Sequence, residues 1–292
     1  MDEQKTGTLY IVATPIGNSR DMSPRGVQIL TDVDIIAAED TRRSMVLLGK
    51  LEIRNKLVSN HKFNEYGKAK YFINEMKAGK SVAVITDAGT PCISDPGYRV
   101  AAAAASAGIP VLPVSGPSAV VDALSVSGLN VDGYAFFGFL PRQGRERDEA
   151  FARIRGCKMG VAVVYESPHR VKALLTDVAR ELSDPQVSLS CDLTKFHELT
   201  ERGTASEVLS RLNANPNAER GEYVCCIDLH DLPAPEETVS GVSAHGLLLE
   251  RLFRGMRMKD AVREVSALPG YSRNDVYKAS LEVAAFLDGE EE

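Results

Sequence analysis

Hydrophobic and polar positions alternate along the chain in blocks that predict strands followed by helices. Short apolar runs between turn residues are typical of buried strands, and longer stretches with one apolar face are typical of helices. The first part of the chain has predicted strands at Leu9–Ala13, Val33–Ala38, Val82–Ile85 and Val111–Val114. Predicted helices lie over Pro24–Leu30, Met45–Leu51, Lys68–Met76, Val100–Ala107 and Ser118–Val126. This rhythm favours an α/β fold with a mostly parallel sheet covered by helices.

A second block of the same kind begins near Asn130. Its predicted strands are Ala135–Phe139, Val161–Tyr165, Val187–Cys191 and Tyr223–Leu229. Its predicted helices are Asp148–Arg155, Arg170–Leu182 and Ala205–Leu212. A segment rich in proline and acidic residues, 232–237, then predicts a linker, and a small helical region follows it. We therefore predict two α/β domains, residues 1–128 and 129–232, and a helical module at residues 240–288.

Composition and charge are those of a soluble globular protein. The 292 residues suffice for about two domains, and contents of 44% hydrophobic and 25% charged residues are ordinary. The net charge of −6 gives no overall attraction to nucleic acid, so a polyanionic partner would need a local basic patch. No apolar run is long enough for a membrane span, and the hydrophilic start differs from a signal peptide. The five cysteines show no metal-ligand spacing. We expect a cytoplasmic protein with reduced thiols.

The segment Thr86–Gly97 is the strongest candidate site in the sequence. It follows a buried strand, so it lies at the carboxyl edge of a sheet, where open α/β proteins bind ligands. Gly89 and Gly97 let the backbone approach a ligand or adopt positive φ. Its polar groups include Asp87, Thr90, Ser94 and Asp95. A plain strand-to-helix connection needs only a few residues, so the length and content of this loop predict a site.

Charged residues also follow other predicted strands. Glu39, Asp40, Arg42 and Arg43 come after the second strand, where acids would also suit a solvated helix start. Their place at the carboxyl end of a strand favours a site instead. The segment Ser115–Ala119 opens a helix with small residues. It could accept an adenine or ribose on its backbone, or it could be a structural turn.

The second block repeats this pattern. Glu166, His169 and Arg170 follow a wholly apolar strand, and Asp192 and Lys195 follow the next one. An unpaired carboxylate inside such a strand would be costly, so Glu166 must lie at the strand mouth or have a partner. His169 alone would be a surface or capping residue, but the three charged residues together favour a functional role.

These motifs occur in an order that is typical of one protein family. They are Thr14-Pro15-Ile16-Gly17-Asn18, Ala38-Glu39-Asp40-Thr41-Arg42, Asp87-Ala88-Gly89-Thr90-Pro91, Ser94-Asp95-Pro96-Gly97, Gly138-Phe139-Leu140-Pro141, Tyr165-Glu166-Ser167-Pro168-His169-Arg170, Leu193-Thr194-Lys195 and Gly221-Glu222. Together they resemble the ribosomal RNA small subunit methyltransferase I family, within the tetrapyrrole methylase superfamily. The resemblance spans about Gly7 to Asp231 and the tail. Ser115, where a second proline is common, and Cys191-Asp192, where Arg-Glu is frequent, depart from the family pattern.

The resemblance implies two α/β domains of the tetrapyrrole methylase type. S-adenosylmethionine would bind in the cleft between them, usually in a homodimer. Asp40 occupies the position where related methylases keep a functional Asp. Carried over by position, the residues near the cofactor would be Pro15, Ala88, Gly89, Thr90, Ile93, Ser118, Ala119 and Glu166.

The reaction that the resemblance implies is transfer of the sulfonium methyl group to the ribose 2′-hydroxyl of a cytidine in the decoding region of 16S rRNA. In-line positioning and loss of the hydroxyl proton would both help such a transfer. Our hypothesis makes Asp40 or Glu166 the proton acceptor or ribose orienter. Lys195, Arg42 and His169 would hold phosphate or polarise the hydroxyl. No metal is required, and no metal-ligand spacing is visible.

The tail adds a separate indication of RNA binding. Basic residues cluster there at Arg251, Arg254, Arg257, Lys259 and Arg263. The turn at 268–274 and the predicted helix Asp275–Phe286 suggest a helix-turn-helix that contacts rRNA or a ribosomal particle. A small helical cap with a solvated basic face is the alternative.

Other functions remain open from the sequence. The nearest is a methyltransferase acting on a tetrapyrrole or another small substrate with the same cofactor. A non-catalytic RNA-binding module is a second alternative, although several strand mouths carry more carboxylates than binding alone needs. A nucleotide-dependent oxidoreductase is disfavoured, because the first strand-to-helix turn lacks G-x-G-x-x-G.

Overall fold

The computed structural model describes residues 6–232, 243–268 and 270–288 of the chain. The chain divides into two compact units, residues 1–232 and 233–292. In its described part, the first unit contains two five-stranded sheets with helices between the strands. The α/β fold that the sequence predicts is therefore confirmed.

The first sheet is wholly parallel, with strand order β3-β2-β4-β1-β5. Its strands are β1 (Leu9–Val12), β2 (Ile35–Ala38), β3 (Leu57–Ser59), β4 (Val82–Ile85) and β5 (Val111–Val114). Its helices are α1 (Pro24–Asp32), α2 (Thr41–Lys50), α3 (Glu65–Lys77), α4 (Tyr98–Ser106) and α5 (Ala119–Val126). Every residue of β2 and β4 is buried, as expected for parallel strands covered on both faces. All five strands therefore end at one edge, which gathers the loops that follow them.

The second sheet is mixed, with strand order β6-β7-β10-β8-β9. Its strands are β6 (Tyr134–Phe139), β7 (Val161–Glu166), β8 (Gln186–Cys191), β9 (Leu199–Thr204) and β10 (Tyr223–Asp228). Its helices are α6 (Arg145–Arg155), α7 (Val171–Glu181) and α8 (Ala205–Ala214). Only β6 and β7 pair in parallel, while β10 runs antiparallel to β7 and β8, and β9 runs antiparallel to β8. One edge thus combines the ends of β6, β7 and β8 with the beginnings of β9 and β10.

Helix α5 joins the two sheets through a shared apolar cluster. Val120, Ala123 and Leu124 of α5 pack with residues of the second sheet, which are Val161, Val163, Val224 and Cys226. A second contact connects the loops, because the amide of Asn18 donates a hydrogen bond of 3.1 Å to Oγ1 of Thr194. The two sheets are therefore joined within the first unit both through α5 and through the loops that follow β1 and β8.

Several element boundaries differ from those that the sequence predicts. Helix α2 begins at Thr41 rather than Met45, because the Asp40 side chain caps it by accepting a hydrogen bond from the Arg42 amide. Strands β3 and β9 were not predicted. The first has three residues, and the second, with sequence LTERGT, is a polar edge strand without the apolar pattern of a buried one.

The described part of the second unit contains three helices around a small apolar core. They are α9 (Ala244–Phe253), α10 (Met258–Val265) and α11 (Arg273–Asp288). Three of the five basic residues that the sequence singles out lie in ion pairs: Arg251 with Glu250 and Glu264, Arg254 with Glu250, and Arg263 with Asp260. The basic cluster is therefore partly neutralised, because Glu250, Asp260 and Glu264 pair with three of its five residues. The predicted linker at 232–237 lies outside the described residues except for Leu232.

Candidate functional site

The loops after β1 and β4 lie side by side at the edge of the first sheet. The backbones of Thr14 and Gly89 exchange hydrogen bonds of 2.9 and 3.0 Å, and Oγ1 of Thr14 donates to the carbonyl of Thr86. Oγ1 of Thr90 donates to the carbonyl of Pro117, which precedes α5. This proximity follows from the direct pairing of β1 with β4.

The Thr86–Gly97 loop has a strained backbone that its surroundings hold in place. Cys92 and Ser94 have φ values of +72° and +63°, in the left-handed region that non-glycine residues rarely adopt. The buried carboxylate of Glu65 fixes the loop end by accepting hydrogen bonds of 2.7 and 2.9 Å from the amides of Gly97 and Arg99. Backbone strain of this kind costs free energy, and strained residues cluster at active sites and ligand-binding loops.

A cavity of about 360 Å³ opens where the two edges meet. This volume lies in the usual range of small-molecule sites, roughly 300–1,000 Å³. Of the residues predicted to bind the cofactor, those that line it are Ala88, Gly89, Thr90, Ile93, Ser118, Ala119 and Glu166. Pro15 is not part of the lining. The remaining lining residues are Ile16, Ser94, Asp95, Phe139, Tyr165, Ser167, Pro168, Gly221, Glu222, Tyr223 and Val224.

Glu166 contributes a fully buried carboxylate to the cavity wall. Its Oε1 accepts hydrogen bonds of 2.6 Å from Nε of Arg170 and 2.7 Å from the amide of Ser167. Its Oε2 is buried and has no hydrogen-bond partner among the described residues. A buried acceptor without a partner is costly, so this oxygen is available to a hydroxyl or amino group of a ligand. The sequence predicts that Glu166 either lies at the strand mouth or has a partner, and in the structure it ends β7 and pairs with Arg170.

Four carboxyl groups lie together at the edge of the first sheet, those of Glu39, Asp40, Asp87 and Asp95. Oδ2 of Asp87 pairs with Arg43 at 3.0 Å, and Oε2 of Glu39 accepts a 2.6 Å hydrogen bond from Thr86. Burial and the charge of Glu39 raise the pKa of Asp87. Burial, followed by the charges of Glu39 and Asp87, raises the pKa of Asp95 to about 7. Asp95, which lines the cavity, can therefore exchange a proton near neutral pH.

Asp40 and Arg42 lie beside this edge but outside the cavity lining. Oδ2 of Asp40 pairs with Nη2 of Arg42 at 2.8 Å. The hydrogen bonds from Arg42 lower the pKa of Asp40 to about 2 and raise the pKa of Arg42. In this geometry Asp40 is a helix cap with a strongly ionised carboxylate.

Lys195 and His169 lie on the second sheet's side. Nζ of Lys195 contacts Oδ1 of Asp192 at 2.6 Å and Oε2 of Glu222, a cavity residue, at 2.8 Å. Burial opposes the charge of Lys195, but these two hydrogen bonds outweigh it and raise its pKa. His169 is exposed, with Nδ1 3.9 Å from Oε2 of Glu219. Both residues therefore border the site without lining the cavity.

The sequence-based list of site residues omitted several cavity residues. Asp95 and Ser94 belong to the loop that the sequence marks as a site, so position after β4 was the available signal. Tyr165 lies one residue before the end of β7, where burial raises its pKa to about 12, and the family motif that begins with it was the available signal. Glu222 and Tyr223 reach the cavity only because β10 runs antiparallel to β7.

The structure offers little support for a metal centre or a membrane span. No cluster of three or more His, Cys, Asp or Glu residues suited to a metal ion occurs within the described ranges. All five cysteines are free thiols. Across the same part of the chain, no helix combines the length and hydrophobicity that crossing a membrane requires.

Comparison with known sequences identifies relatives along nearly the whole chain. The family model of tetrapyrrole (corrin/porphyrin) methylases matches residues 8–209. The ribosomal RNA small subunit methyltransferase I of Halalkalibacterium halodurans is 37% identical over 93% of each chain. The protein of the same name from a Synechocystis species is 35% identical over 96% of this chain and 99% of its own.

Solved structures share the fold at low sequence identity. A diphthine synthase superposes with a TM-score of 0.60 and 12% identity over 78% of this chain and 92% of its own. The uroporphyrin-III C-methyltransferase of Thermus thermophilus, solved with S-adenyl homocysteine, has a TM-score of 0.53 and 15% identity over 76% of this chain and 97% of its own. At these identities the likeness concerns the fold.

Proposed function

This chain belongs to the ribosomal RNA small subunit methyltransferase I family of the tetrapyrrole methylases, and from that premise we propose that it methylates the ribose 2′-hydroxyl of a decoding-region cytidine in 16S rRNA with S-adenosylmethionine. The observation that carries the proposal is the cavity between the two sheet edges. All the predicted cofactor residues except Pro15 line it, although they come from separate loops.

The residues present fit S-adenosylmethionine. Ala88, Gly89 and Ala119 bring backbone close to the cavity, and Ile93 adds apolar surface for an adenine ring. The φ of +82° at Gly89 is one that glycine adopts without strain. The unpartnered Oε2 of Glu166 supplies an acceptor for a hydroxyl or amino group. The cofactor supplies an electrophilic methyl group on a positively charged sulfonium, which suits an edge rich in carboxylates.

The protein's own part is to orient the ribose and accept its hydroxyl proton. We assign these tasks to Glu166 or Asp40, with Lys195, Arg42 and His169 holding phosphate or polarising the hydroxyl. The cavity position of Glu166 supports it over Asp40, whose pKa of about 2 makes it a weak base. Asp95 is a further candidate for the proton, because a pKa of about 7 matches the demands on a general base.

The proposal also covers the localisation, the oligomeric state and the partners of the protein. We infer that it acts in the cytoplasm as a homodimer on small-subunit rRNA or a ribosomal particle. We also propose that the helical module at 240–288 contributes to RNA binding through Arg257 and Lys259, which are the two residues of the basic cluster without an ion pair to the described residues. Deletion of that module should weaken particle binding more than cofactor binding.

The function is tested by mapping ribose methylation on rRNA from cells that lack the gene. We expect loss of one cytidine 2′-O-methyl mark, restored by the wild-type gene. Ile93→Trp should fail to restore it and should weaken S-adenosylmethionine binding more than tenfold in calorimetry, because the indole would occupy the cavity. Met159→Trp is the control, since Met159 and Ile93 are both 46% exposed and Met159 lies outside the lining. An unchanged methylation map, or methylation of a precursor corrin instead, would refute the assignment.

A further inference from the structure

A second cavity adjoins the cofactor cavity on the side of the second sheet. It has a volume of about 690 Å³, and its walls are the segments that follow β6 and β7, at Leu140–Arg142 and Ser167–Arg170. Phe139 and Ser167 line both cavities. A ligand in this second cavity, which we call the β6–β7 groove, would therefore lie directly beside whatever the first cavity holds.

A β-bulge turns an aromatic ring into the groove. The register of β6 against β7 shifts between Phe136 and Gly138, where Gly138 has a φ of +64°. In a regular strand, residues three apart point to opposite faces. Here Phe136 and Phe139 both contact the ring of Tyr165, with centroids 4.8 and 5.6 Å away. The bulge has therefore moved Phe139 to the cavity side, a role that bulges commonly have next to active sites.

The ring of Phe139 remains available for a partner. It is 58% exposed, while its neighbour Leu140 is buried. A large aromatic ring held by an edge-on contact with Tyr165 still has a free face. Planar bases stack on such faces, and single-stranded RNA is bound in this way by aromatic residues.

The polar wall of the groove carries a cation without a counter-charge. Arg142 is exposed and forms no ion pair with the residues that the structure describes. Arg170, by contrast, is balanced by Glu166, and it also donates a 3.3 Å hydrogen bond to the carbonyl of Leu140. Glu219 is the acidic group that faces His169, at 3.9 Å. The free charge of the groove is thus the guanidinium of Arg142, which suits a phosphate.

We infer that the β6–β7 groove holds the target nucleotide of a single-stranded RNA segment, with its base stacked on Phe139 and a neighbouring phosphate on Arg142. The ribose then lies at the shared wall formed by Phe139 and Ser167, where its 2′-hydroxyl faces the cofactor cavity. This inference rests on the proposed function and adds the residues that select RNA as the substrate.

The test uses small ribosomal subunits from cells that lack the gene. Phe139→Ala should raise KM for these particles about tenfold, the effect expected from loss of one base–aromatic stack. Phe139→Tyr should stay within about twofold of wild type, and Phe139→Leu should not rescue, because an aliphatic side chain packs without stacking. Tyr134→Ala is the control, since Tyr134 is an exposed aromatic residue at the other end of β6.

Arg142 is tested through the salt dependence of particle binding. Arg142→Ala should reduce the slope of log K against log salt by about one, and Arg142→Lys should keep it. Arg145→Ala is the control, because Arg145 is an exposed arginine outside the groove that pairs with Glu149. S-adenosylmethionine affinity, measured by calorimetry, should not change in Arg142→Ala, because Arg142 lies outside the cofactor cavity, and in Phe139→Ala it should fall less than particle affinity.

The outcomes separate this inference from the proposed function. If wild type methylates the particles while the Phe139 and Arg142 variants match their controls, the groove assignment is wrong and the function stands. If Phe139→Leu restores KM, or if cofactor affinity falls as much as particle affinity, Phe139 has a packing role and stacking is refuted. If wild type does not methylate the particles, both proposals fail together.

Discussion

The two sheet edges that border the cofactor cavity balance their charges in opposite ways. On the first edge, Glu39 and Asp95 have no cationic partner among the described residues, and the pKa values of Asp87 and Asp95 are raised. On the second edge, the carboxylates are paired: Glu166 with Arg170, and Asp192 and Glu222 with Lys195. One edge therefore holds carboxylates without a cationic partner near the cavity, whereas on the other edge each of these three carboxylates contacts a cation.

The difference teaches that carboxylates at strand ends are not equivalent, although they look alike in sequence. A carboxylate on the second edge is stabilised by its cationic partner. Removal of the carboxylate leaves that partner partly buried without a counter-charge, which destabilises the folded state. Asp95 on the first edge has no such partner and is destabilised by burial and by its neighbours, so loss of its charge relieves the folded state. Removal of Asp95 and removal of Glu166 should therefore have opposite effects on stability.

The largest effect is expected at Glu166. Glu166→Ala should lower the free energy of unfolding by about 3 kcal/mol, because it leaves the half-buried guanidinium of Arg170 without its counter-charge. Urea denaturation measures this loss. Glu149→Ala, which removes an exposed partner of Arg145, is the control and should change stability little. Equal effects of the two substitutions would contradict the view that the second edge depends on pairing.

Asp95→Asn should have the opposite sign. Because the folded-state pKa of Asp95 is about 7, above its ordinary value of 3.8, the folded protein binds a proton that the unfolded chain has released between these values. The contribution of Asp95 to stability therefore falls as pH rises from about 4 to 7. Above pH 7, Asp95→Asn should be more stable than wild type by about 2 kcal/mol. This is roughly half of the free energy that corresponds to the full pKa shift, because solvent screens a partly exposed carboxylate.

Thermal and urea unfolding of both proteins at pH 5 and pH 8 check this prediction. The gain of Asp95→Asn over wild type should be larger at pH 8 than at pH 5. Asp40→Asn serves as the matched control on the same edge, because the pKa of Asp40 is about 2 and its contribution should not vary across this range. A gain that is independent of pH would show that Asp95 is not destabilised by its charge.

The smallest effect is expected at Lys195. Lys195→Met should cost about 1 kcal/mol at low salt, since Asp192 and Glu222 would both lose their counter-charge on a partly exposed surface. The loss should shrink in 0.5 M salt, because screening weakens the remaining repulsion. Lys80→Met, which removes a lysine paired with Glu75 alone, should have a smaller effect. A cost that does not respond to salt would point to packing against Gly17 instead.

Much of the first sheet could be predicted because its strands and helices are defined locally. The apolar runs of β1, β2, β4 and β5 and the stop of α3 at Gly79, with a φ of +90°, are read from short segments. The start of α2 was misplaced because Asp40 was interpreted as a site residue and not as a cap. Strands β3 and β9 were missed because neither carries the apolar pattern of a buried strand.

The candidate site was predictable where it depends on one loop. Ala88, Gly89 and Thr90 follow β4 directly, so the rule that ligands bind at the carboxyl edge of parallel strands suffices for them. The rule fails for Glu222, which precedes β10, and for Tyr223, which begins it, because both reach the edge through antiparallel pairing. It also gives no information about the pKa of Asp95, which depends on burial and on the charge of Glu39 from another loop.

The sequence by itself determined the alternation of strands and helices, the loop that follows β4 and the family to which the chain belongs, because each is encoded in the order of neighbouring residues. Only the tertiary structure decided which strand ends share an edge, which carboxylates have a partner, and where the bulge directs Phe139. These properties depend on strand order and register. Both are set by packing between segments that are far apart in the chain.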